Sequence, residues 1–494
     1  VPLLSKERHR DLSQAQGQAV LSRAPVQPSG THYGRGGWNA HDLATLDTEQ
    51  WAVAQNVHLD SEERVAVRDG FTAWGTNAIG APSVPTGLHQ YIKADGTNMV
   101  LASAGDGSLW KDAGSGGSWT SIGSGLTAGV DVIGRWTTFA NLAMFCNGGS
   151  NVKKFDGTTL ADLTGVPAAV QGASNGIAFG GRFWLMKGSQ ANYGEVSDPN
   201  TWPTNNFLSV DINNGEDLSG AARIFNQLFL GKASRWYGVL GNSSQTMGWV
   251  DRPGPGPVAI DSVRGDGSVV YYLAYDGVYR FNGANPPERV SPTLDAYIKT
   301  LSASRLQYAR GIYDPLLREY WLAVSESGQS KHNVCIVLNV DTGSWWKYTI
   351  GRNSFALITT SGQQALLAGD SAPSGGTLGK VWRQNDGTTD NGTAIAWQLD
   401  SPLVFPAHDG VVIPTVALLA LKDLSGTMTL TPLYKAGSIT GGARTVSLDG
   451  AATPHKKLVG LAGQGELFSI RLAGSGPMTL TSRQVWAALT RGAQ

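Results

Sequence analysis

The sequence predicts an all-β protein: a β-propeller of five to eight blades with a C-terminal antiparallel β-sandwich and an extended N-terminal arm. Three observations point there. Glycine is heavily used, at 64 of 494 residues, beside 16 tryptophans and only 15% charged residues. That is the composition of short strands and tight turns rather than helices. A short aromatic strand behind a turn recurs seven times through the middle of the chain, and beyond about Ser401 those repeats give way to longer alternating runs.

The first segment, 1–35, is polar, with the basic cluster Lys6-Glu7-Arg8-His9-Arg10, and reads as an extended arm. The cluster suits a contact with nucleic acid or an acidic partner, and equally a solvated terminus. The second segment, 36–87, leads into the repeats. Asp47 or Thr48 as N-cap, with Glu49 behind, predicts a short helix over Thr48–Asn56. Arg64–Phe71 alternates polar and apolar residues and passes through Asp69-Gly70, so it predicts a strand entering a turn.

Segment 88–400 is assigned to the propeller. Its best-marked piece is Val269–Gly283, where an apolar run meets Asp276-Gly277 and Val278-Tyr-Arg-Phe281 follows. Asp-Gly between two β-type runs predicts a hairpin with a primed turn, which requires φ > 0 at its centre. The two runs should be the inner pair of strands of one sheet. Similar short strands lie at Ser108–Lys111, Val152–Phe155, Tyr193–Val196, Arg235–Gly238, Val337–Val340 and Lys380–Arg383. Most are spaced about 40–45 residues apart, the length of one four-stranded blade. The longer gap before Val337 holds Ser291-Pro-Thr-Leu-Asp-Ala-Tyr-Ile-Lys-Thr-Leu301. Pro292 at the first helical position and Leu294, Ile298 and Leu301 on one face make this the best helix in the chain. A single blade cannot bury both faces, and a closed ring buries each against its neighbours while limiting exposed edges.

Segment 401–494 carries alternating runs at Val411–Leu421, Gly426–Tyr434, Arg444–Leu448, Glu466–Ala473 and Pro477–Ala487, and is assigned to the sandwich. The two cysteines, Cys146 and Cys335, sit inside apolar runs and are expected to be buried thiols. No run reaches the roughly 20 apolar residues of a membrane span, and no secretory leader is expected. With 38 basic and 38 acidic residues the formal charge is zero, which argues against a nucleic-acid-coating protein.

Trp38-Asn39 with Asp42, then Ala52 to Asn56, then Val65-Ala-Val-Arg68 and Gly70-Phe71, resemble the opening of a widespread group of tailed-bacteriophage structural proteins. Trp236-Tyr237, Tyr275-Asp-Gly-Val-Tyr-Arg-Phe-Asn-Gly283, Asp341-Thr-Gly-Ser-Trp345 and Ser469-Ile-Arg-Leu472 recur there in the same order. The group is similar to the tail-nozzle proteins of short-tailed phages. The resemblance covers most of the chain from Gly36 on. It implies a virion tail protein in a homo-oligomeric ring of six copies. The partners implied are the head-to-tail adaptor and tail fibres or spikes, with double-stranded DNA passing non-specifically. It implies no reaction and no cofactor. Trp38, Asn39, Asn56 and Arg68 are the residues expected to organise an adaptor-side or inter-subunit region, with packing inside one subunit as the alternative for each.

Other chemistry finds little footing in the sequence. Gly172-Ala-Ser174-Asn-Gly176 matches the G-x-S-x-G pattern, but that elbow needs a helix behind it and Ile177-Ala-Phe179 reads as a strand. Asn339-Val-Asp341-Thr-Gly343-Ser-Trp345 has the spacing of the Asp-box of sialidase-type propellers, a turn-stabilising feature in which the Asp is expected to cap backbone donors. Asp211, Glu216 and Asp217 are acids with no spacing that singles out a catalytic pair. Gly375–Val381 lacks the Ser or Thr and the spacing of a P-loop. The eight histidines are scattered, so no metal site is expected. Arg252-Pro-Gly-Pro-Gly-Pro257 is a stiff stretch, either a projecting loop or a connector between blades. A carbohydrate- or protein-binding propeller, and after it a propeller glycosidase, are the competing functions.

Overall fold

In the computed structural model of the chain, the residues described are 19–20, 35–41, 46–47, 49–80, 83–371, 379–403, 410–422, 425–434, 439–449, 455–460 and 468–491. They fall into two compact units. One is Gly70–Gly343 with Tyr348–Gly387; the other takes the residues up to Asp69, Ser344–Lys347 and those from Thr388 on.

The first unit is a seven-bladed β-propeller. Five blades are complete four-stranded antiparallel sheets in simple sequence order, running Pro85–Gly123, Arg135–Asp162, Asn175–Ser209, Gly220–Arg252 and Arg264–Arg289. The sixth begins with Arg310–Asp314, Glu319–Val324 and Val334–Asn339. The seventh takes Arg352–Thr360, Gln363–Asp370 and Val381–Gln384 from one end of the unit, and its outer strand, Phe71–Trp74, from the other. This pairing ties the last blade to the segment that precedes the first. Asn353 Nδ2 donates to the Pro85 carbonyl at 3.0 Å, and Gln90 exchanges bonds of 2.8 Å with the backbone of Thr359. The ring is therefore shut at its inner rim as well.

The apolar core lies between blades. Trp74, Leu88, Val100, Ile358 and Leu367 fill the space between the first and seventh. Phe139, Met144, Phe183 and Leu185 join the second to the third, and Trp236, Tyr272 and Phe281 the fourth to the fifth. Each sheet face thus finds its partner on the next sheet, which is why alternation along single strands is weak and strands such as Glu319–Val324 are buried throughout. Close approach at the hub demands glycine in places: a Cβ on Gly87 would sit 2.0 Å from the Gly134 carbonyl oxygen of the next blade.

All seven recurring strands of the sequence fall in the same place, each overlapping the third strand of its own blade. The Val269–Gly283 runs are the two central strands of the fifth blade, paired from Val270↔Phe281 to Leu273↔Val278. The turn between them is not primed, because no residue from Ala274 to Gly277 has positive φ. Ala274 N–H closes it onto the Gly277 carbonyl at 2.8 Å. The stretch Ser291–Leu301 is helical, as a 3-10 turn over Pro292–Leu294 running into an α-turn over Asp295–Ile298. The Pro-Gly stretch is a connector from the fourth to the fifth blade, held by Ser219 Oγ on the Pro257 carbonyl and Tyr272 Oη on the Pro255 carbonyl, both at 2.5 Å. Both cysteines are buried, and neither is in a disulfide.

The second unit is also all β. One sheet runs in the order His455–Gly460, Gly410–Lys422, Thr479–Arg491, Val65–Val67, Val57–Leu59, with Ala19–Val20 added beside Thr479–Arg491. The other places Val53–Gln55, Ala396–Asp400, Phe468–Ser475 and Ser425–Tyr434 side by side. The sequence boundaries shift accordingly. The segment 36–87 is not a unit, since Val53–Gln55, Val57–Leu59 and Val65–Val67 join sheets with C-terminal strands, Gly37–Trp38 and Gln50–Trp51 pair with each other, and Phe71–Trp74 joins the propeller. The helix expected over Thr48–Asn56 is instead two strands, Gln50–Trp51 and Val53–Gln55. Tertiary pairing overrides the weak capping signal there, because Ala54 and Gln55 find ready partners in Leu399 and Gln398. The basic cluster of the arm and most of Gly375–Val381 lie outside the described residues.

Candidate functional site

The first strands of all seven blades line one central cavity of about 470 Å³. Four of those seven strands open on arginine: Arg135, Arg264, Arg310 and Arg352. The first three face the cavity and converge on a single carboxylate, Asp261, carried by the short 3-10 turn Ile260–Ser262. Arg135 donates from Nη2 to Asp261 Oδ2 at 2.8 Å and from Nε to both carboxylate oxygens at 3.2 Å. Arg310 Nη1 reaches Oδ2 at 3.3 Å, and Arg264 Nη2 stands 3.5 Å from Oδ1. Arg310 also donates from Nε to the Asn353 carbonyl at 2.8 Å.

Burial alone would push the Asp261 carboxyl up, but the charges of Arg135, Arg310 and Arg264 together outweigh it and hold its pKa at about 2. For Arg310 burial dominates, lowering the guanidinium to about 10 against the pull of Asp261. His89 lines the same cavity, its Nε2 2.8 Å from Thr138 Oγ1. It is partly buried, and removal from water lowers its pKa to about 4. The cavity can therefore hold a fixed electrostatic field. It does not hold an acid–base pair, since its one carboxylate is ionised and engaged by three cations.

The four residues carried by the sequence resemblance all lie in the second unit, buried and close together. Trp38 sits in a strand parallel to Gln50–Trp51, with Lys347 Nζ 5.8 Å from its ring centre. Asn39 donates from Nδ2 to Gln50 Oε1 at 2.7 Å and accepts from the His41 N–H at 2.9 Å. Asn56 has positive φ, 56°, a backbone that asparagine tolerates better than most residues. Its N–H donates to the Lys347 carbonyl and its Nδ2 to the Ala396 carbonyl, at 2.8 and 2.7 Å. Arg68 donates from Nε to Asn56 Oδ1 at 3.1 Å and grips Asp390 with both Nη groups, at 2.8 and 2.6 Å. Within this chain the four side chains thus organise the packing of one unit.

The remaining sequence candidates are placed by local structure. Ser174 is followed by the strand Asn175–Phe179, and its hydroxyl donates to the Met186 carbonyl at 3.2 Å. In Asn339–Trp345 the capping group is Asn339 rather than Asp341. Asn339 Oδ1 accepts from the N–H groups of Asp341 and Thr342 at 3.1 and 3.0 Å, while Asp341 accepts from Arg318 Nε at 2.6 Å. Asp211 accepts from Tyr237 Oη at 2.7 Å, and Glu216 from Ser234 Oγ at 2.8 Å. No group of three metal-ligating side chains occurs among the described residues, and no helix there is long and apolar enough to cross a membrane.

Sequence reasoning missed the arginine cluster. The one available signal is positional: the arginines open inner strands, which becomes visible only once the blades are aligned. No protein-family model matches the sequence, and no curated protein matches it. Among solved structures, the chain is similar to YCF48 from Cyanidioschyzon merolae (10% identity, 64% of this chain and 98% of that one, TM-score 0.42). It is also similar to the Neurospora crassa Pan2 WD40 domain (8% identity, 64% and 96%, TM-score 0.41) and to BamB from Moraxella catarrhalis (14% identity, 66% and 97%, TM-score 0.38). Likeness at this level bears on neither activity nor partners, and the propeller is established by the chain's own seven sheets.

Proposed function

We propose that this chain is a structural protein of a short-tailed bacteriophage virion, a subunit of the ring-shaped tail nozzle below the head-to-tail adaptor. Six copies form the ring, DNA leaves through the bore between them, and tail fibres or spikes dock on its outside. The observation that carries this is the network joining Trp38, Asn39, Asn56 and Arg68. The opening motif of the resemblance knits the second unit together, so that part of it rests on a structural core. The mechanism is geometric. Blades locked face to face give a rigid wall, and a chain of zero formal charge adds little phosphate affinity, hence little drag on a passing duplex. The propeller's own cavity is of small-molecule size and is not the DNA path.

Electron microscopy of the purified protein and of the virion tests this. Rings of this subunit at the lower end of the tail are expected. A solitary monomer in solution together with its absence from the particle would defeat it, as would tight, salt-sensitive binding of duplex DNA by the assembled ring. A ligand-binding propeller is the second function, favoured by the charged central cavity. A glycosidase needs two carboxyl groups flanking one bond, and the cavity lining offers only Asp261.

A further inference from the structure

The central cavity carries more positive charge than its own carboxylate neutralises. Arg135, Arg264 and Arg310 face Asp261 as the lone acidic side chain of the lining. His89 adds no charge near neutral pH, given its lowered pKa. Two cationic charges are thus in excess within a cavity of about 470 Å³. Uncompensated charge removed from water is costly, so such a cluster calls for a counter-charge.

The donors are unequally engaged. Arg135 uses Nε and Nη2 on Asp261 and Nη1 on the Ser174 carbonyl. Arg310 is 3% exposed, and its Nη2 is buried with no partner among the described residues. Trp136 Nε1, on the same lining, is in the same position. Arg264 differs from both. Its side chain is 39% exposed, its Nη1 is on the Val263 carbonyl, and its hold on Asp261 is the long one, at 3.5 Å. This partly exposed side chain lines the cavity.

We propose that this cavity is a binding site for a small oxyanion of the phosphate or carboxylate class. Arg264 is the residue that contacts the anion, while Arg135 and Arg310, locked by Asp261, form the fixed positive wall behind it. The guanidinium fork matches both oxyanion geometries, and a cavity walled by seven blades magnifies the attraction relative to open water. Asp261 tempers the field and keeps the wall in place. The site rests on the propeller alone and is independent of any role in a virion.

The test uses the full-length chain, titrated calorimetrically with inorganic phosphate and, separately, with succinate, against sodium chloride at matched ionic strength. Saturable binding of one anion per chain is expected for at least one of the two, and the responding arm identifies the class. Arg264→Gln should weaken it by about tenfold or more, the loss of one charge-assisted contact. Arg280→Gln, which removes an exposed pair with Glu288 on the fifth blade, should leave it unchanged. Absence of saturable binding of either anion at millimolar concentration overturns the proposal. So does an Arg264→Gln protein that is folded by circular dichroism and binds as tightly as the parent.

Discussion

Acidification from pH 7 to pH 5 should destabilise the propeller through one buried imidazole, and the size of the effect can be worked out. His332 is 2% exposed. Its Nε2 lies 2.8 Å from the Tyr308 carbonyl, which can only accept, so Nε2 carries the proton and Nδ1 accepts from Ser325 Oγ at 3.1 Å. A second proton, on Nδ1, would turn the Ser325 hydroxyl from donor to acceptor and place a positive charge where water is excluded. Burial, followed by the charge of Arg310, lowers its pKa to about 3. Because the folded pKa lies below the unfolded one, the unfolded chain binds the proton first. Stability is complete above the unfolded value of about 6.5 and falls as pH drops toward 3. Between pH 7 and pH 5 the linkage integral comes to about 2 kcal/mol for this residue. His58 and His89 are lowered in the same direction, so the parent chain should lose more than that in total. Asp261 acts in another window: its depressed pKa of about 2 supplies stability above pH 4 that is lost only below it. Urea unfolding followed by tryptophan fluorescence, in the parent and in His332→Gln, isolates the residue. The variant should be less stable at pH 7 but lose about 2 kcal/mol less on going to pH 5. Parallel losses in the two proteins would refute the assignment of His332 as a neutral buried donor.

Asp390→Ala should cost about 3 kcal/mol, read as a shift in the urea midpoint of the second unit, because it strips the bidentate partner from a buried Arg68. Gly87→Ala should destabilise by about 1–3 kcal/mol or prevent folding, since the new methyl meets a backbone carbonyl that no rotamer change can move; a neutral effect on thermal unfolding would contradict the hub geometry. Cys146, buried and with its thiol pushed up to about 12, should resist alkylation by iodoacetamide in the native protein and react only after denaturation. Rapid native labelling at Cys146, mapped by mass spectrometry, would count against that environment.

Much of the propeller was legible because its signal is periodic. A blade's third strand is flanked by turns on both sides, so Val278–Phe281 and its six counterparts stand out. The first strand is defined by its neighbours across the hub, and nothing local marks Arg264–Gly265 as a strand. The same limit explains Gln50–Trp51 and Val53–Gln55. Their partners lie hundreds of residues away or in another short strand, so the local capping pattern dominated the expectation and tertiary pairing decided the outcome. The arginine cluster was illegible for a related reason. Asp261 and Arg264 are three residues apart, but Arg135 and Arg310 are brought to them by ring closure, and no spacing along the chain encodes that meeting. The motif residues Trp38, Asn39, Asn56 and Arg68 lie together as interior contacts of one unit.

The pairing of Phe71–Trp74 with Val381–Gln384 has a consequence for how the molecule is made. On a ribosome the early strand emerges some three hundred residues before its mate, and must wait unpaired while six blades are laid down. The sheets of the other unit are woven from both ends in the same way. A product that stops before Val381 leaves the last blade without a strand, and one that stops before Thr479 leaves the other unit's sheets unfinished. Synthesis therefore works as a checkpoint, in which only copies translated through to the late strands acquire a finished surface.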